Sequence, residues 1–238
     1  GLMHNLEMEK KRYNNFVVTT TYEVLGLREE LNTSFSRHDI NTVRENIQML
    51  KKKIDMSYAE NRRLIRTYEI YLSSITNEIT TKETRDILMQ LLNETYPIPF
   101  SKYYRAPLNC ESMLLNMIAL TYMKEGRYDE TQMIYDGILS NYKRSKVNCK
   151  YHCRQYELLL ANFVGSRSEM IEAVQLEASV TEGVSFALKC GKGNLLSLYF
   201  RELGYAYARD LNKEKALRIF QYSVPMAELF HNEYDVKI

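Results

Sequence analysis

The chain has 238 residues, 45% of them hydrophobic and 26% charged, with 32 Lys and Arg against 30 Asp and Glu and a net charge of +2. That length buries a substantial core, while so even a charge excludes a domain that grips nucleic-acid phosphates unaided. With 9 Gly, 4 Pro and 4 Cys, the chain has too few turn signals for an all-β fold and no disulfide framework, which points to a reducing, cytoplasmic setting.

The first residues, Gly1 and then the helix-like His4-Asn5-Leu6-Glu7-Met8-Glu9-Lys10, read as a tag remnant followed by a start inside a longer protein. No apolar run approaches the ~18–20 residues of a membrane span, and no charged-then-apolar leader is present. A long helix over 4–34 and a helix over 39–55, with Ile40, Val43, Ile47 and Leu50 turned inward, form the first expected pair. A second pair spans 57–95, with Leu64, Ile65, Tyr68, Tyr71, Leu72 and Ile75 on one helix and Leu88, Leu91 and Leu92 on the other. Tyr96-Pro97-Ile98-Pro99-Phe100, continuing to Pro107, cannot carry a helix and reads as a loop before a fresh helix start near Glu111.

From there a repeat emerges. Leu115-x-x-Ile118-Ala119-x-x-Tyr122 leads through a turn at Gly126 to Thr131-x-x-x-Tyr135. Phe200-x-x-Leu203-Gly204-x-x-Tyr207 leads to Ala216-x-x-x-Phe220. Both follow the tetratricopeptide (TPR) pattern of an aromatic or large apolar residue, a small residue, Tyr, and then Ala-x-x-x-aromatic on the second helix, with Thr131 in the place of Ala in the first. Small residues at Gly204 and Ala216 let two helices approach while Phe200, Tyr207 and Phe220 fill the surrounding space. Leu160-Ala161 and Ala173 form a weaker third copy. The small positions 119, 161 and 204 are 42 and 43 residues apart, against about 34 in a standard TPR, so helices or connections must be longer. Pro225, inside the last second helix, should kink or end it. The expected fold is all-α: a TPR-like antiparallel helix-pair solenoid (α-α superhelix) of about five helix pairs, forming one domain over 1–238.

Ile87-Leu-Met-Gln-Leu-Leu-Asn-Glu-Thr-Tyr-Pro97, Cys110-Glu-Ser-Met-Leu-Leu-Asn-Met-Ile-Ala-Leu-Thr-Tyr122, Leu158-Leu-Leu-Ala-Asn162 and Gly183-Val-Ser-Phe-Ala-Leu-Lys-Cys190 together resemble the C-terminal sensor region of Cro/repressor-type helix-turn-helix regulators of Firmicutes. That family includes the peptide-responsive quorum-sensing (RRNPP) group. The likeness runs roughly from residue 40 to the end. It implies a helical-repeat domain that dimerises and takes a short peptide or small effector on its concave face, with DNA bound only through a separate N-terminal domain. No helix-turn-helix is legible here: the surroundings of Gly26, Thr19-Thr-Thr-Tyr-Glu-Val-Leu-Gly26-Leu-Arg-Glu-Glu, offer no basic recognition helix. Either the DNA-binding domain lies outside this chain, or the protein never had one.

In a TPR superhelix the first helix of each pair lines the concave surface, with inward positions six and three residues before the small residue and one, four and five after it. In the three later copies these positions hold the polar candidates Asn116, Gln155, Asn162, Arg201, Tyr205 and Arg209. Extrapolation upstream adds Arg28, Asn32, Arg66, Glu69 and Asn77. An asparagine amide can bridge both backbone groups of an extended peptide, and an arginine can hold its terminal carboxylate. A docking scaffold with no small effector is the alternative reading.

Other signals are discounted. Cys149-Lys-Tyr-His152-Cys153 lacks the fourth ligand and paired spacing of a structural zinc site. Gly191-Lys192-Gly193-Asn194 fails the P-loop pattern, since Phe186 stands where its first glycine is required. Lys51-Lys52-Lys53 and Arg62-Arg63 are interrupted by acids and suit a solvated face. No catalytic or cofactor fingerprint is present, so neither an enzyme nor a cofactor or metal is expected.

Overall fold

A computed structural model of the chain describes residues 22–36, 39–95, 109–144, 149–190, 193 and 195–230. Among the described residues there are ten helices and no strand: α1 (Tyr22–Ser36), α2 (Ile40–Lys53), α3 (Ala59–Ile75), α4 (Thr81–Asn93), α5 (Asn109–Lys124), α6 (Tyr128–Arg144), α7 (Cys149–Ser168), α8 (Ala173–Lys189), α9 (Leu196–Arg209) and α10 (Lys213–Leu229). The chain divides into two compact units, Gly1–Ile87 and Leu88–Ile238, with the division falling inside α4. The loop expected around Pro97, Pro99 and Pro107 lies outside the described residues, as does the expected start of the first helix.

In the first unit, α1 buries Val24, Leu27, Leu31 and Phe35, and α2 buries Val43, Ile47 and Leu50, while Ile40 is half-buried. Phe35 meets Tyr71 with ring centroids 4.6 Å apart. α2 starts where Asp39 accepts the Thr42 N–H at 3.2 Å, an N-cap that satisfies a donor the helix cannot. Its last turn carries Lys51, Lys52 and Lys53, as the negative end of a helix favours. α4 opens on a capping box: Thr80 N–H donates to Glu83 at 2.9 Å and Glu83 N–H to the Thr80 hydroxyl at 3.2 Å, closing two otherwise unpaired donors.

Three helices end in one turn form, with a residue of positive φ followed by a backbone bond reaching back five residues. The residues are Asn77 (φ 57), Gly126 (φ 72) and Leu211 (φ 60). The bonds are Glu78 N–H to Ser73 O (2.9 Å), Arg127 N–H to Tyr122 O (3.0 Å) and Asn212 N–H to Tyr207 O (2.9 Å). This is the Schellman pattern, which occupies carbonyls left open at a helix end. Of the three, Gly126 is the one whose turn is legible in the sequence.

In the second unit, successive helices pack as pairs, and the first helices of neighbouring pairs, α5, α7 and α9, also pack on one another in a row. The small residues expected at the pair contacts, Ala119, Ala161, Ala173, Gly204 and Ala216, are all buried. A Cβ added at Gly204 would lie 2.6 Å from the Phe220 ring, so the helices meet there because glycine is there. Thr131 takes the place of Ala in its copy and donates its hydroxyl to Ala119 O at 3.2 Å. The packing is TPR-like, as expected.

Of the two outcomes expected at Pro225, a kink or an end, the end is not found: α10 continues to Leu229. The lost donor leaves the carbonyl of Gln221 without its helical partner, and both residues are exposed, so water can take that bond at small cost.

Candidate functional site

The site is built from four helices of the second unit, α5, α6, α7 and α9. Asn116 on α5 is buried, and its Oδ1 accepts two hydrogen bonds, from the Tyr135 hydroxyl of α6 at 3.0 Å and from the Asn162 amide of α7 at 2.8 Å. Tyr135 is fully buried, and desolvation pushes its phenol well above the ordinary tyrosine range, so it stays a neutral donor. Asn162 is half-buried. Its second amide N–H and its carbonyl have no hydrogen-bond partner among the described residues.

Asn162 forms part of the wall of a cleft of about 340 Å³ across α5, α7 and α9, shared with Lys124, Gly165, Leu198, Arg201 and Glu202. Arg201 pairs with Glu202 at 2.7 Å, both side chains being only 13% exposed. Glu202 also accepts the Ser168 hydroxyl at 2.8 Å. The cleft thus offers an amide with open donor and acceptor valences, an apolar wall, and a guanidinium already neutralised by its neighbour. Such a surface suits a polar, uncharged backbone better than a polyanion. Its volume falls at the lower end of the roughly 300–1,000 Å³ of small-ligand sites, room for part of an extended chain.

The structure brings together Asn116, Asn162 and Arg201 of the residues expected from sequence. Tyr205 is not in the cleft; its ring packs edge-on against Phe220 at 5.4 Å. Arg209 is engaged elsewhere: its guanidinium donates to the carbonyls of Ser168 and Ile171 and pairs with Asp210 at 2.9 Å. Asp210 in turn accepts the Ala173 N–H at 2.7 Å, so the two residues tie down the α7–α8 connection. That bond and the neighbouring arginine hold the Asp210 carboxyl below its ordinary value. Gln155 lies on α7, and its side chain is outside the described residues. Arg28, Asn32, Arg66, Glu69 and Asn77 belong to the first unit. There Arg66 and Lys51 lie 3.7 and 3.4 Å from Glu69, and Asn77 supplies the positive φ of a helix end.

Glu202, Gly165, Lys124 and Leu198 were not singled out from sequence. Lys124, Gly165 and Leu198 occupy the same inward offsets that gave Asn162 and Arg201, and Lys124 could have been selected on that rule. Glu202 could not, because it is turned toward Arg201 by adjacency on the helix and by the Ser168 hydroxyl. Among the described residues no group of three His, Cys, Asp or Glu side chains could hold a metal; the side chains of Cys149, His152 and Cys153 lie outside them. No described helix is long and apolar enough to cross a membrane.

The helix pairs and their small-residue contacts define a TPR-like helical-repeat protein. No family model matches the chain, and no curated protein does. Among solved structures, the fold is similar to that of PlcR of Bacillus thuringiensis in complex with the peptide PapR7 and DNA, with a TM-score of 0.67 over 89% of this chain and 72% of that one. Sequence identity is 10%, so the likeness is one of fold.

Proposed function

We propose that this chain is the ligand-sensing, dimerising domain of a cytoplasmic bacterial transcriptional regulator, and that its effector is a short peptide laid along the α5–α7–α9 row. The observation that carries this reading is the half-open Asn162 amide: Asn116 fixes one of its N–H groups at 2.8 Å, leaving one donor and one acceptor at the cleft wall. That is the complement of a single extended peptide unit. Asn116 is then a positioning residue, and Arg201 a contact that must exchange Glu202 for a peptide carboxylate. The fold shared with a regulator solved with peptide and DNA supports the same assignment. Repeat stacks change pitch through small shifts at each interface, so a peptide that prefers one pitch would redistribute the population of shapes in proportion to its differential affinity. DNA would be bound by a separate domain.

The test is affinity selection. The protein is incubated with an equimolar pool of short peptides, and those retained are identified by mass spectrometry and titrated calorimetrically. The reading expects retained peptides whose affinity falls about tenfold in Asn162→Ala, the equivalent of roughly 1.4 kcal/mol for one or two lost hydrogen bonds. A folded protein that retains no peptide contradicts the reading and leaves the docking scaffold.

A further inference from the structure

We infer that the groove between α6 and α8 is a binding site for a small aromatic carboxylate, its ring laid on Tyr156 and Phe186 and its carboxylate held by Lys189. This groove shares no lining residue with the cleft that contains Asn162, and the inference is independent of the proposed function.

α6 and α8, the second helices of neighbouring pairs, both pack against α7, and side chains of all three enclose a second cleft of about 350 Å³. Three rings line it: Tyr142 and Tyr156 are buried and Phe186 is half-buried. Tyr156 meets Tyr142 edge-on with centroids 5.5 Å apart, and Phe186 at 4.7 Å. The two phenols are engaged. The Tyr142 and Ser112 hydroxyls hydrogen-bond at 2.6 Å, and the Tyr156 hydroxyl donates to Glu182 at 3.1 Å. These residues therefore offer a ligand mainly ring carbon, against which a flat aromatic group makes offset or edge-on contacts that a saturated one does not. The volume gives room for one or two fused rings.

The charged side chains select the headgroup. Glu182 is already answered: Lys143 lies 2.8 and 3.1 Å from its two carboxylate oxygens, and the Tyr156 hydroxyl donates to one of them. A cationic ligand would have to displace Lys143. Lys189 and Ser185 also line the cleft, one turn apart on the stripe of α8 that carries Glu182 and Phe186, as residues three and four apart on a helix do. Both are exposed; Lys189 makes no ion pair and the Ser185 hydroxyl no hydrogen bond among the described residues. One open ammonium and one open hydroxyl are the complement of a single carboxylate. The Cys190 N–H donates to Phe186 O at 3.0 Å, which occupies an oxygen at the negative end of α8 that would otherwise repel an anion.

Isothermal titration calorimetry on the full chain tests this with naphthalene-2-carboxylate as the probe, its uncharged carboxamide and its saturated decahydronaphthalene counterpart serving as comparisons. The probe should bind saturably with a dissociation constant below about 1 mM, and the saturated acid about threefold more weakly or worse. Lys189→Gln should weaken the carboxylate about fivefold and leave the carboxamide unchanged, a difference that a general loss of structure does not produce. Ser185→Trp, a change at an exposed position, should fill the cleft and abolish binding, with circular dichroism confirming that the variant is folded. Lys213→Gln removes the same charge outside both clefts and should have no effect. Absence of saturable binding, a carboxamide or saturated acid that binds as well as the probe, or equal losses in Lys189→Gln and Lys213→Gln overturn the assignment. So does binding that survives Ser185→Trp, which locates the probe elsewhere. None of these results bears on the peptide cleft.

Discussion

Gly183 on α8 offers the sharpest test of how these helices are held together. A Cβ built there would lie 2.4 Å from Cε1 and Cζ of Tyr199 and 2.8 Å from its hydroxyl oxygen, whereas carbon atoms in contact sit at about 3.5–4.0 Å. Tyr199 cannot simply turn away. Its ring is fully buried and its hydroxyl donates to Glu157 O at 3.2 Å, so a shift large enough to admit a methyl group breaks that bond. Overpacking costs about 1–3 kcal/mol, and stranding a buried hydroxyl about 1–3 kcal/mol more. The gain in helix propensity on replacing glycine by alanine offsets roughly 1 kcal/mol. Gly183→Ala should therefore destabilise the chain by about 1–5 kcal/mol, lowering Tm by roughly 2–20 °C for a protein of this size. Urea unfolding followed by circular dichroism measures it. A Gly183→Ala variant as stable as wild type, or stabilised by its better helix former, would refute the claim that glycine sets the α8–α9 approach.

Gly204→Leu should cost about 1–3 kcal/mol or more, since even a methyl group there meets the Phe220 ring at 2.6 Å; Gly204→Ala should cost less than Gly183→Ala, because Phe220 is only half-buried and can yield. Leu211→Gly should stabilise by about 1 kcal/mol, because an 83% exposed leucine contributes little packing while holding φ at 60; differential scanning calorimetry reads this as a rise in Tm, and a fall would show that the Leu211 side chain is needed. The Thr80 bonds hold the Glu83 carboxyl below the ordinary glutamate value of 4.5. A carboxyl depressed in the folded state contributes stability that is present above its unfolded value and lost as pH falls through the folded one. Wild-type stability should therefore decline faster than that of Glu83→Gln as pH drops below about 4.5, and parallel curves for the two proteins would remove the capping box from the account.

The later repeats were legible because each writes its packing into sequence. Gly204 and Phe220, or Ala119 and Tyr135, stand at spacings that only a helix pair explains. The Gly183–Tyr199 approach was not legible, because it joins different pairs and no short-range spacing records it. Within the cleft, Asn162 and Arg201 followed from offsets along a helix. The diversion of Tyr205 onto Phe220 and of Arg209 onto the α7–α8 connection did not, since both depend on which neighbour a long side chain reaches. Whether Pro225 would end its helix was not legible, because the cost depends on whether the carbonyl it leaves open faces water, which periodicity does not state. The capping box at Thr80 and Glu83 was present in the sequence as Thr-x-x-Glu and marks a helix start that apolar periodicity placed only loosely.

The central claim is that Asn162, held by Asn116, presents its open amide valences to a peptide. Heteronuclear NMR on the side-chain amides, with a peptide retained in the selection titrated in, observes this directly. The Asn162 side-chain resonances should shift saturably with the same dissociation constant that calorimetry gives, and the response should vanish in Asn162→Ala. Saturable binding that leaves those resonances unmoved would place the peptide elsewhere and contradict the account.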